Sequence, residues 1–128
     1  MRIHHLSRRV ILSGLALALL APAAAAHHGW AWTEDEPFKL TGVIEHIYIG
    51  NPHVTLKVRA GDGVWDVDLA PLSRSLRAGF NEDAAKIGDE ATLIGFRGRD
   101  HGQLHMKAAR VIVNGKTYDV YPDRVPSI

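Results

Sequence analysis

The chemistry available to this chain is carried by histidine. It has eight histidines and no cysteine, and it lacks an HExxH pair, a nucleophile elbow and a phosphate-cradling glycine loop. His27 and His28 stand side by side in "PAAAAHHGWAW". If a cut after Ala26 made His27 the first residue, its α-amine and imidazole would chelate copper(II), and a histidine from the body of the domain would complete the set. If the cut fell after Ala25, the amine, two amides and the third-position imidazole of His28 would wrap a square-planar copper(II) or nickel(II), the geometry those ions prefer. The body offers His53, His101 and His105 as further metal ligands. Against this stands a plainer reading, in which the pair serves processing or solubility and binds metal only adventitiously.

Other groups admit quieter explanations. Asp66 and Asp68 sit two apart on one strand face, with Lys57 and Arg59 expected opposite them. Cross-strand ion pairing accounts for these carboxylates without catalysis. His53 reads as a turn residue, His101 and His105 as hairpin residues, and His46 as a solvent-facing strand residue. Arg74 and Arg77 on a helix, and Arg97 and Arg99 at a strand end, would suit an anion or simply a solvated surface. Trp30 and Trp32 would stack on a flat ligand or cap the fold. With Asn51, Arg97 and Arg99 they are the candidates for a ligand face.

Elements upstream decide whether the histidine pair becomes terminal. "MRIHHLSRRVILSGLALALLAPAAAA" has a basic start, a short apolar run and small residues before a cut, the order of a secretory signal peptide over residues 1–26. "SRRVIL" also resembles a twin-arginine signal. The expected location is periplasmic or secreted, with no transmembrane anchor after cleavage. From His27 the chain has 102 residues. The leader removes three arginines and no acidic residue, leaving 12 basic against 14 acidic residues and a formal charge of −2. Such a surface argues against nucleic acid as a partner. Without disulfides the fold stands on its hydrophobic core.

Hydrophobic period supplies the elements. Residues 27–37 read as a His/Trp arm. "KLTGVIEHIYIG" reads as a strand with a bulge suspected at Gly42. "VTLKVRA" and "VWDVDLA" alternate cleanly around a Gly61–Gly63 turn, with Val54, Leu56, Val58, Trp65, Val67 and Leu69 inward. "PLSRSLRAGF" predicts a short helix with Leu72 and Leu76 four apart on one face. "ATLIGFRGR" and "LHMKAARVIVNG" read as strands, and Asn114-Gly115 as a tight hairpin. Three strands, a helix and two strands predict a mainly β fold: a small five-stranded OB-fold-like Greek-key barrel over residues 38–121, with a tail at 122–128. An open β-sandwich with a lone helix is the alternative.

In order and spacing, "HHGW", "LTGVI", "NPHVTLKV", "LAPLSRSLRAGF" and "IGDEATLIGFRGR" resemble the exported bacterial family catalogued as domain of unknown function 6152, from His27 to about Tyr118. His46 and Tyr48 match no motif residue of that family. The resemblance implies an exported location and a small β-barrel, and brings no activity with it. The expected function is a periplasmic binding or accessory protein with copper as candidate ligand. A structural or protein-interaction module is the alternative, and a metal-dependent enzyme ranks last.

Overall fold

The computed structural model describes residues 29–128. The expected signal peptide and the pair His27 and His28 lie outside the described residues. Six strands form the sheet: β1 (Thr33–Tyr48), β2 (His53–Ala60), β3 (Gly63–Pro71), β4 (Glu90–Gly98), β5 (His105–Val113) and β6 (Lys116–Asp119). One helix, α1 (Leu72–Arg77), follows β3, and a 3₁₀ turn at Pro122–Arg124 follows β6. The strand order is β3-β2-β1-β4-β5-β6, and β3 also pairs with β5. That last pairing is parallel; the others are antiparallel. The described residues are therefore mainly β with one short helix.

β1 has 16 residues because it serves two neighbours. Thr33 to Val43 pair with β4, and Val43 to Tyr48 pair with β2. The strand begins at Thr33, inside the segment read from sequence as an arm. Glu34, Asp35 and Glu36 hid it, since an acidic run lacks strand composition; pairing to β4 overrides that preference. The bulge falls between Ile44 and His46 rather than at Gly42. Gly42 has a different task. A Cβ there would stand 2.2 Å from the Arg59 carbonyl oxygen, so only glycine lets β1 pass so close to β2.

The alternation expected in β2 and β3 holds. Val54, Leu56, Val58, Trp65, Val67 and Leu69 are all buried and pack with Ile44, Leu93, Met106, Val111 and Val113 in one core. Burying each such large apolar side chain stabilises by ~1.5–3 kcal/mol. The Asn114-Gly115 turn adopts positive φ at both residues, 54° and 73°, which matches the right-handed twist of the strands it joins. In α1 Leu76 is 45 % exposed, while Ser75 is buried. Ser75 donates its hydroxyl hydrogen to the Ala70 carbonyl at 2.9 Å. A six-residue helix offers little apolar contact of its own, and the loop after it fills the core instead with Phe80, Ala84 and Ala85.

Candidate functional site

The strand register builds two polar rows on the outer face. His46, Lys57, Asp66 and His105 are successive cross-strand partners along β1, β2, β3 and β5. Tyr48, Thr55, Asp68 and Lys107 form the next row. Between them Ile47, Leu56, Val67 and Met106 turn toward the core. This grid exists because β3 and β5 meet in parallel, which brings together residues far apart in the chain.

His105 and Asp68 link the rows diagonally. Nε2 of His105 lies 3.1 Å from Oδ2 of Asp68, with both side chains about half-buried. Trp32 stacks on the imidazole at 4.1 Å between ring centres and 20° between planes. The ring is thus clamped by a carboxylate at its edge and an indole on its face. Asp68 Oδ2 engages Nε2, so the nitrogen left for a ligand is Nδ1, which has no hydrogen-bond partner among the described residues. A carboxylate bound to one ring nitrogen is the usual device for orienting a metal-ligating histidine and raising its basicity.

Asp68 and His105 are also a shared wall. On one side Trp32, Gly98, Arg99, Asp100 and Gln103 complete a hollow of about 290 Å³. On the other, His46, Tyr48, Thr55, Lys57 and Asp66 line a shallower groove of about 550 Å³.

Lys107 is the unexpected member of the outer face. A strand lysine pointing outward should be solvated, yet only 3 % of this residue is exposed. The segments just before β1 and just after β6 fold over it. Its ammonium lies 4.6 Å from the Trp30 ring centre and 5.3 Å from that of Tyr121, and donates a hydrogen bond to the Gly29 carbonyl at 3.0 Å. Burial pushes its pKa down, the Asp68 charge pulls it back up, and Arg124 lowers it again. Trp30 is held in turn by Tyr121 and Phe96 in edge-on contacts, with the Arg124 guanidinium over its face. The Thr33 hydroxyl and amide both donate to the Trp30 carbonyl.

The residues singled out from sequence divide accordingly. Trp32, Arg99 and His105 come together around the smaller hollow. His101 is in the β4–β5 turn, exposed, and pairs with the Glu34 carboxylate instead of approaching His105. His53 opens β2, half-buried, opposite Pro71, and lines neither hollow. Asn51 receives the Tyr48 hydroxyl on its backbone carbonyl at 2.7 Å. Arg97 lies over the Trp65 ring at 4.8 Å. Trp30 packs as a cap and is not free to stack on a ligand. Among the described residues no group of three or more His, Cys, Asp or Glu side chains is arranged to hold a metal.

The expected charge pairing is half realised. Lys57 reaches Asp66 at 2.7 Å. Arg59 turns instead to Glu45 on β1, and Asp68 faces Thr55 and binds His105. Sequence reasoning missed Asp68 as a histidine partner and Lys107 as an anchor. The closing β3–β5 pair of the predicted topology was the one signal that would have joined residues 68 and 105.

A family model described as a family of unknown function, DUF6152, matches residues 16–107. The chain belongs to this family. All five stretches that carried the resemblance fall inside the match, which ends at Lys107 rather than near Tyr118. No curated protein matches the DUF6152 chain. Among solved structures it is similar to a chain of the S. pombe Stn1–Ten1 complex, at 14 % identity and a TM-score of 0.50, over 62 % of this chain and 59 % of that one. It is equally similar to a ZRD-deleted mutant of TiaS in complex with agmatine, at 14 % identity and a TM-score of 0.50, over 66 % of this chain and 26 % of that one. The chain thus spans about three-fifths of the first and a quarter of the second. At such identities the likeness is one of fold alone: an OB-like arrangement of strands.

Proposed function

We propose that this DUF6152 protein is an exported binding module that holds copper(II), with nickel(II) as the competing ion, between its processed amino terminus and His105. In this reading the circuit β1-β2-β3-β5-β4 is a small closed barrel of the OB type, and its outer face carries the site. The ligands are the α-amine and imidazole of His27, or the amine, amides and imidazole of an Ala26-His27-His28 terminus, together with the imidazole of His105. Nitrogen-rich sets of this kind are what copper(II) and nickel(II) select.

The single observation that supports the reading is the hydrogen bond from Lys107 to the Gly29 carbonyl. Gly29 is bonded directly to His28. Lys107 is two residues from His105 on the same outward face of β5, a separation of about 7 Å along a strand. The first described residue of the chain therefore lies near His105, whose imidazole is both bonded by a carboxylate and stacked on by an indole. His53 and His101 lack that combination. The groove lined by His46, Tyr48 and Lys57 supports a second reading, in which the same face docks a periplasmic protein without metal.

Titration of the mature protein with copper(II), repeated with a Gly-Ser extension before the native first residue, tests the proposal. The extension weakens binding by well over about tenfold if the amine is a ligand. Equal affinity in both forms overturns the reading.

A further inference from the structure

We propose that the hollow lined by Trp32, Asp68, Gly98, Arg99, Asp100 and His105 takes a free α-amino acid, with its carboxylate on Arg99 and its ammonium against Asp68 and Asp100. The inference needs neither the amino terminus nor a metal, and it stands apart from the reading above.

Four strands meet there. Trp32 stands just before β1, Asp68 lies in β3, Gly98 ends β4 and His105 opens β5, while Arg99 and Asp100 begin the turn between the last two. The walls are set by packing. Trp32 stacks on the His105 imidazole, and a Cβ at Gly98 would stand 3.1 Å and 3.3 Å from Cζ3 and Cε3 of the indole. The missing side chain lets Trp32 lie close against the end of β4.

Two unneutralised charges of opposite sign carry the argument. Arg99 and Asp100 line one hollow, yet neither forms an ion pair among the described residues. Arg99 is held by its near end. Its amide donates to the Trp32 carbonyl at 2.9 Å, and its Nε to the neighbouring Ala31 carbonyl at 3.2 Å. The two Nη groups have no partner among the described residues. They are the fork that meets a carboxylate in parallel hydrogen bonds. Asp100 is fixed through one oxygen: Oδ1 accepts the Gly102 amide at 2.9 Å, and Oδ2 is left over. Asp68 engages His105 through Oδ2 and keeps Oδ1. The arginine and both carboxylates are thus positioned by one contact and open at another.

Charge balance selects the ligand. A multivalent anion would meet Asp68 and Asp100, and a simple cation would meet Arg99. An apolar molecule would strip water from all three without replacing it. A zwitterion pairs with both signs. The volume of about 290 Å³ holds roughly ten water-sized groups at about 30 Å³ each. That is the size of leucine or glutamine.

Calorimetric titration of the mature protein in excess chelator tests this. The probes are L-leucine and L-glutamine, each beside the molecule that lacks its amine (isocaproate, glutaramate) or its carboxylate (isopentylamine, γ-aminobutyramide). At least one amino acid is expected to bind, and at least about tenfold more tightly than either of its truncated forms. Arg99→Ala is expected to weaken that binding about tenfold or more, and Asp100→Asn about threefold. Arg77→Ala, which removes an exposed arginine of α1, keeps the wild-type affinity. The proposal is overturned if neither amino acid binds, if a truncated form binds as well as its parent, or if Arg99→Ala or Asp100→Asn leaves the affinity intact. A loss in Arg77→Ala equal to that in Arg99→Ala overturns it too. So does binding that appears only when copper(II) replaces the chelator, because the metal then holds the amino acid. The Gly-Ser extension plays no part in these titrations, so the two readings fail separately.

Discussion

Among the described residues two histidines meet carboxylates, and the two pairs differ in almost everything else. His101 reaches Glu34 from an exposed turn, with the imidazole 59 % exposed. His105 reaches Asp68 across the parallel β3–β5 pairing, half-buried, with an indole stacked on its ring. The first pair is a surface contact of the kind that contributes ~0–1 kcal/mol and is screened by salt. The second is framed by backbone pairing on both partners and by packing on a third side. The same two functional groups thus make a solvated contact in one place and an oriented imidazole in the other. Strand topology is the difference.

The largest expected effect removes the frame itself. A Cβ at Gly95 would stand 2.0 Å from the Lys107 carbonyl oxygen and 2.8 Å from the Ala108 Cα. Neither can yield, being backbone. Gly95→Ala should therefore destabilise by ~3 kcal/mol or more, measured by denaturant unfolding, and should disturb His105 while leaving the His101 turn alone. A cost below ~1 kcal/mol would break the claim that β4–β5 contact is rigid here.

Next comes the direct contrast. His105→Ala should weaken copper(II) binding by roughly 100-fold, since a ligand is worth at least as much as the groups that orient it. His101→Ala should change it less than about twofold. Calorimetric titration of both variants decides between a specific site and a generic histidine surface. Acid should release the metal in the wild type, because only neutral imidazoles and a free amine ligate.

A smaller effect separates the carboxylates. Asp68→Asn leaves the shape of the site but removes the charge that orients Nε2, and should cost about tenfold in copper affinity. Glu34→Gln should cost nothing measurable. Equal effects would erase the distinction between the pairs.

The smallest is a control in an ion pair without histidine. Arg110 binds Asp119 through two hydrogen bonds, at 2.6 and 3.0 Å, and this holds the Asp119 carboxyl below its ordinary value of 3.8. A depressed carboxylate stabilises the fold above its unfolded pKa, and the contribution is lost as the pH falls through the folded value. Both side chains are a third exposed, so Asp119→Asn should cost no more than about 1 kcal/mol at neutral pH, and less as the pH falls through the folded value. A loss that does not shrink with falling pH would contradict that origin.

The pairs also show what sequence conveys. Local alternation announced β2 and β3, and Asn114-Gly115 announced the last hairpin, because side-chain period and turn conformation are short-range properties. The buried side of α1 was not legible, because a six-residue helix is placed by its neighbours, not by its own pattern. The strand start at Thr33 was hidden by three acidic residues. His105 with Asp68 was the hardest, since its partners are 37 residues apart and meet only through a parallel pairing. Lys107 drew no notice in the sequence because nothing local says that Trp30 and Tyr121 arrive from opposite ends of the domain to cover it.

The central claim is that His105 supplies a nitrogen to the metal that the amino terminus captures. Electron paramagnetic resonance of the mature protein carrying one equivalent of copper(II) counts the coordinated nitrogens directly. The account predicts that His105→Ala loses one imidazole nitrogen from the hyperfine pattern and that His101→Ala keeps the wild-type spectrum. An unchanged pattern in His105→Ala would contradict it.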